Sequence, residues 1–119
     1  MREKIIVTNA VLNEDTLLLE TDTPISDLTV TGQMLVDSDQ FAFIYVAEKN
    51  NEYTYIVLGE SVWSAMKSAL NNDLPVFIKK EEVALELTGF HEELSYLVEN
   101  IKGNSNYGEE MVSKVEDTF

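Results

Sequence analysis

Through the first half of the chain, apolar and polar positions alternate in short runs. Lys4 to Leu12 carries Ile5, Ile6, Val7, Val11 and Leu12, and Asn13-Glu14-Asp15 supplies turn chemistry before Thr16 to Thr21. This spacing predicts a first hairpin. Pro24 fixes its own φ and restricts Thr23, so Thr23 to Asp27 reads as a loop. Leu28 to Thr31 alternates again, Gly32 suggests a bulge or bend, and Met34-Leu35-Val36 continues a third strand. Beyond Asp37-Ser38-Asp39-Gln40, the runs Phe41 to Ala47 and Tyr53 to Leu58 flank Glu48 to Glu52, whose central asparagines tolerate left-handed dihedrals. That is the clearest hairpin signal in the chain. Phe41, Phe43 and Tyr45 fall on one face of their strand, and Tyr53, Tyr55 and Val57 on one face of the next. The opposite faces are apolar too, which places both strands inside the sheet rather than at its edge.

The period then changes from two to 3.6. Val62, Trp63, Met66, Ala69 and Leu70 form a helical stripe, with Ser61 as the expected N-cap and Asn71-Asn72-Asp73 as the stop. Pro75 to Ile78 and Val83 to Leu87 read as a short hairpin around Lys80-Glu81. The strongest helical pattern places Phe90, Leu94, Leu97, Val98 and Ile101 on one side, with Thr88 as the expected cap and Lys102-Gly103 as the end. Asn104 to Gly108 connects to a last helix bearing Met111, Val112, Val115 and Phe119. Strands joined by tight hairpins imply antiparallel pairing, and three amphipathic helices need a sheet to cover their stripes. The expected fold is one α+β domain over residues 1–119: a mostly antiparallel sheet of about five to seven strands packed by about three helices, the last two consecutive.

Composition narrows the chemistry. The 119 residues include 22 acidic and 8 basic side chains, a formal net charge of -14, one histidine and no cysteine. With 45% apolar residues a core is affordable, so global disorder is not expected. Absent cysteine excludes disulfide scaffolds, thiol catalysis and thiolate metal sites, and a single histidine excludes sites that need two. The apolar run near the N-terminus is only Ile5-Ile6-Val7, short of a signal peptide or membrane span, and anionic lipid would repel so acidic a surface. A cytoplasmic protein without membrane contact is expected. The charge is spread evenly, with eleven acids against three bases in residues 1–60 and eleven against five in 61–119. Basic residues are missing entirely from Ile5 to Glu48.

Four segments carry a resemblance. Gly32-Gln33-Met34-Leu35-Val36-Asp37-Ser38-Asp39, Phe90-His91-Glu92-Glu93-Leu94, Asn100 to Gly108 and Val115 to Phe119 resemble the YjbL-like family of small uncharacterised proteins from bacilli and staphylococci. The resemblance runs over nearly the whole length. It implies a cytoplasmic bacterial protein and carries over no activity, cofactor or catalytic residue.

Candidate chemistry is sparse. His91, in the first turn of the strongest helix beside Glu92 and Glu93, has the chemistry of a general acid or base, yet the pattern specifies no partner for it and fits a helix-start residue. Asp37 and Asp39 point the same way in an extended segment, as a divalent cation would want, but the further ligands and central glycine of a calcium loop are missing. A carboxylate turn between two strands accounts for them, and no metal is expected. Asn104, Ser105, Asn106 and Tyr107 could hold a polar ligand, or connect two helices. The sheet aromatics lack the lysines and arginines that nucleic-acid platforms need, so direct nucleic-acid binding is not expected and the rings read as core and cross-strand packing. No phosphate-loop, dinucleotide, nucleophile-elbow or zinc-helix motif is present.

These readings favour a non-enzymatic protein-interaction or regulatory domain without cofactor, with a protein partner, a basic one among the options, and with homo-oligomer formation open. Two alternatives stand beside it: an acidic mimic of nucleic acid occupying a basic groove, and a small-ligand binder or enzyme with an unrecognised pocket. On the resemblance alone, Asp37, Asp39, Asn104, Asn106 and Tyr107 form the candidate functional surface.

Overall fold

The computed structural model describes residues 3–119. Its elements run β1 (Glu3–Leu12), β2 (Leu17–Thr21), β3 (Thr29–Asp37), β4 (Ala42–Lys49), β5 (Glu52–Gly59), α1 (Trp63–Asn71), β6 (Val76–Lys80), β7 (Val83–Glu86), α2 (Phe90–Ile101) and α3 (Glu109–Thr118). The strands form one seven-stranded sheet in the order β3-β4-β5-β1-β2-β6-β7. The fold is thus α+β with a mostly antiparallel sheet and two consecutive C-terminal helices. β4 and β5 lie inside the sheet, as their two-sided apolar pattern predicts.

Local chemistry sets most of the ladder. Asn50 and Asn51, both at positive φ, make the two-residue turn between paired Lys49 and Glu52. This is the primed geometry that matches strand twist. Gly32 sits at φ +75° where the β3–β4 register shifts between Val30 and Gln33, the expected bulge. Two joins depart from the hairpin expectation, because β1 pairs parallel to β5 and β2 pairs parallel to β6. β1 changes partners along its length: Glu3 to Ile6 face β5, and Val7 to Leu12 face β2. A register shift between Val7 and Asn9 marks the exchange, and the Thr21 hydroxyl donates to the Ile6 carbonyl at 2.8 Å.

The core lies on one face. Phe43, Tyr45, Ile56, Leu58 and Ile5 meet Trp63, Met66, Phe90, Leu94 and Val115 there. Phe43 packs 5.2 Å from Trp63 and 5.9 Å edge-on to Phe119, ring centre to ring centre. The Trp63 indole donates to the Leu58 carbonyl at 3.0 Å, so a fully buried ring keeps its polar group satisfied. With extents of 39 × 37 × 21 Å, the molecule is a plate about two layers thick: the sheet and its helices.

Three sequence expectations need correction. Thr88 does not cap α2 with its side chain; Gly89 occupies that position at φ +71°, and the Thr88 carbonyl instead accepts the Tyr45 hydroxyl at 2.6 Å. A Cβ on Gly89 would lie 3.2 Å from the Gly32 carbonyl oxygen, so two left-handed glycines let α2 approach β3. Ser61 does not cap α1 either, since a 3-10 turn over Glu60–Val62 precedes Trp63. Finally, Phe41 turns out of the strand at φ +51°, and β4 begins at Ala42.

Candidate interaction surface

Strand pairing builds a second apolar surface on the side away from the helices. Across four strands, Leu35 pairs with Ile44, Ile44 with Val57, and Val57 with Ile6. The next row is Gln33, Val46, Tyr55 and Lys4. All these side chains point away from Phe43, Tyr45 and Ile56, because successive residues of a strand face opposite ways. Ile44 and Val46 are buried among their neighbours yet stand outside the main core cluster. At the margins Ile6 is 52% exposed, Leu35 37% and Tyr53 45%. The Tyr53 and Tyr55 rings therefore belong to this outer face, which corrects their reading as core.

Asp37 and Asp39 border that face. Asp37 closes β3, and its Oδ1 accepts the Gln40 amide at 3.2 Å, the side-chain turn read from the sequence. Both aspartates line a shallow depression of about 320 Å³ with Lys4, Leu35, Ile44 and Tyr55. Among the described residues no three carboxylate or imidazole groups converge as a cation site.

The other half of the candidate surface lies elsewhere. Asn104 accepts the Asn106 amide at 3.1 Å and donates to the Asn100 carbonyl at 3.1 Å, so its side chain is spent holding the connector between α2 and α3. Tyr107 packs partly buried against the core. The nearby depression is lined by Gly103, Ser105, Glu109, Val112, Ser113 and Glu116 and shares no residue with the one at Asp37. The structure brings Asp37 and Asp39 together, and separately Asn104, Asn106 and Tyr107.

His91 ties α2 to the end of α1. Its Nε2 lies 2.6 Å from the Leu74 carbonyl and donates to it, while the enclosed Nδ1 has no hydrogen-bond partner among the described residues. At Tyr45, burial pushes the phenol up from its ordinary value, against the opposing hydrogen bond to Thr88. Sequence reasoning missed Ile6, Leu35, Ile44, Val46 and Val57 as a surface. The available signal was the apolar character of β4 and β5 on both sides, when three helices suffice for one.

No helix of the described residues is long and apolar enough to cross a membrane. No solved structure matches the chain. A UPF0738 protein of Bacillus licheniformis is 45% identical, the UPF0738 protein YjbL of Bacillus subtilis 44%, and a UPF0738 protein of Bacillus cereus 38%. Each alignment covers 100% of this chain and 99% of the relative. Residues 5–119 match UPF0738, a family of unknown function, and with the YjbL resemblance of the Gly32–Asp39 and Asn100–Gly108 segments the chain belongs to that family.

Proposed function

We propose that this is a cytoplasmic, non-enzymatic interaction protein that docks another protein on the outer face of β3, β4, β5 and β1. One observation carries the reading: the row Leu35, Ile44, Val57 and Ile6 is apolar across four strands, while the helices pack on the other side. An antiparallel sheet with one wet face alternates apolar and polar positions, and β4 and β5 break that rule. Leu35, Ile6 and Tyr53 stand exposed on that face around the buried Ile44, and Lys4, Gln33, Asp37 and Asp39 supply the polar rim that contact sites carry.

The test is a photo-crosslinking residue placed at Tyr53 of the full chain in living bacilli. The reading expects a discrete adduct with a protein, lost when Leu35→Asp is added. Adducts only from a probe at Tyr96, on the exposed side of α2, would overturn it.

A further inference from the structure

We infer that the start of α2 closes the edge of β3 against strand addition, and that the Glu93 carboxylate is its latch. The inference is separate from the docking reading, which concerns the broad face of the sheet. It begins with the two strands that end the sheet, β3 and β7. Each turns one side of its backbone away from the ladder, and such an edge is a template for a further strand from another chain. β7 is four residues long, ends on Glu86 and follows Glu81 and Glu82. Short length and charge keep such an edge unpaired. β3 has neither protection. It runs nine residues from Thr29 to Asp37, and none before Asp37 is charged. Left open, it would be the place where chains pair.

The cover comes from α2. Met34 stands opposite Tyr45 of β4, and its N–H donates to Glu93 Oε1 at 3.1 Å. That N–H is therefore turned away from β4, toward the side where an added strand would bond. A carboxylate takes the place of the strand's carbonyl, and a charged acceptor makes the stronger bond. Two residues earlier, the Gly32 carbonyl oxygen lies so near Gly89 that a Cβ there would stand 3.2 Å from it, so the helix start fills the space beside the edge. The Tyr45 hydroxyl joins the same two segments, because it donates to the Thr88 carbonyl at 2.6 Å and is also bonded by the Gly32 main chain. Two neighbouring points of the edge are thereby occupied.

One helical turn supplies both. The Glu93 amide donates to the Gly89 carbonyl at 3.0 Å, so the backbone that approaches Gly32 and the carboxylate that reaches Met34 move together. Loss of the carboxylate frees the Met34 donor and loosens the turn that fills the space beside it.

The experiment is sedimentation equilibrium of the full chain over a wide concentration range, with hydrogen exchange read at single amides and circular dichroism as the folding control. In the wild type, the Met34 amide is expected to exchange at least about tenfold more slowly than the Val36 amide, the next outward one along the edge. In Glu93→Ala the Met34 amide should exchange at least about tenfold faster than in the wild type in dilute solution. As concentration rises, that variant should climb to twice the wild-type mass while its Val36 amide gains protection. Glu93→Gln loses the same charge but keeps an oxygen that accepts, so it is expected to stay at the wild-type mass. Should Glu93→Ala lose its fold, Glu93→Asp, which keeps the charge and falls one methylene short, is read in its place. A folded Glu93→Ala at the wild-type mass throughout, or association without protection at Val36, overturns the inference. So does Glu93→Gln associating as strongly as Glu93→Ala, which would assign the effect to lost charge repulsion. A wild-type Met34 amide that exchanges as freely as that of Val36 overturns it without any variant.

Discussion

Phe43 and Ile44 are neighbours in β4, and they share a strand, a hairpin and near-complete burial. Phe43 faces Trp63 and Phe119 in a helix-covered core, whereas Ile44 points to the opposite side of the sheet and lies outside that core cluster. Burial alone does not tell these sites apart. What distinguishes them is the side of the sheet they face, and that difference predicts opposite responses to substitution. Changes on the helix side register in folding stability, and changes on the outer side register in association.

The largest effect belongs to the core. Trp63→Ala removes the ring that meets Phe43 and Phe119 and is expected to cost about 4 kcal/mol in denaturant unfolding. A cost below about 1 kcal/mol would place the helix side on the same footing as the outer face. Next comes Gly89→Ala, which combines a left-handed φ with a contact at 3.2 Å to the Gly32 carbonyl. About 2 kcal/mol of destabilisation is expected, read as a lower midpoint at constant slope.

Tyr45→Phe should cost about 1 kcal/mol at neutral pH through the lost bond to Thr88. The same residue gives a pH test. Burial raises the folded phenol above its unfolded value near 10, so the native state holds the proton more tightly. Tyr45's contribution is therefore fully present below pH about 10 and lost as pH climbs toward the raised value. Wild type should lose stability more steeply than Tyr45→Phe in alkaline titration of the unfolding midpoint. Parallel curves would remove Tyr45 as the source.

The smallest change in stability is expected on the outer side. Ile6→Thr, at a 52% exposed position, keeps β-branching and should shift unfolding by no more than about 0.5 kcal/mol. Its effect on the Tyr53 crosslink to a docked protein should be far larger. A substantial loss of stability without loss of association would erase the distinction between the faces.

Much of this architecture is legible from local signals. The Asn50-Asn51 turn, the Gly32 bulge and the end of α2 at Lys102-Gly103 each follow from a residue whose backbone preference decides the geometry. The parallel joins of β1 with β5 and β2 with β6 are not legible, because they depend on contacts between distant segments that no turn residue encodes. Gly89 displaced Thr88 as the start of α2 because the close approach to Gly32 outweighs a side-chain cap. At the candidate surface, the turn at Asp37 and the connector at Asn104 were readable as turns. Their separation was not, since sequence spacing says nothing about which depression a loop borders. The outer row needed strand register before Leu35, Ile44, Val57 and Ile6 could be seen as one line.

The exchange of partners along β1 bears on how the chain acquires its structure as it is made. Ile5 leaves the ribosome early but pairs with Ile56, and Leu19 pairs with Ile78, so the earliest strands wait on segments synthesised much later. Until then the β1–β2 hairpin stands alone, and an isolated two-stranded hairpin is marginal in water. Pairings between distant segments slow the search and leave apolar strands uncovered meanwhile. In a growing chain, the N-terminal strands therefore await β5 and β6 before the sheet can close.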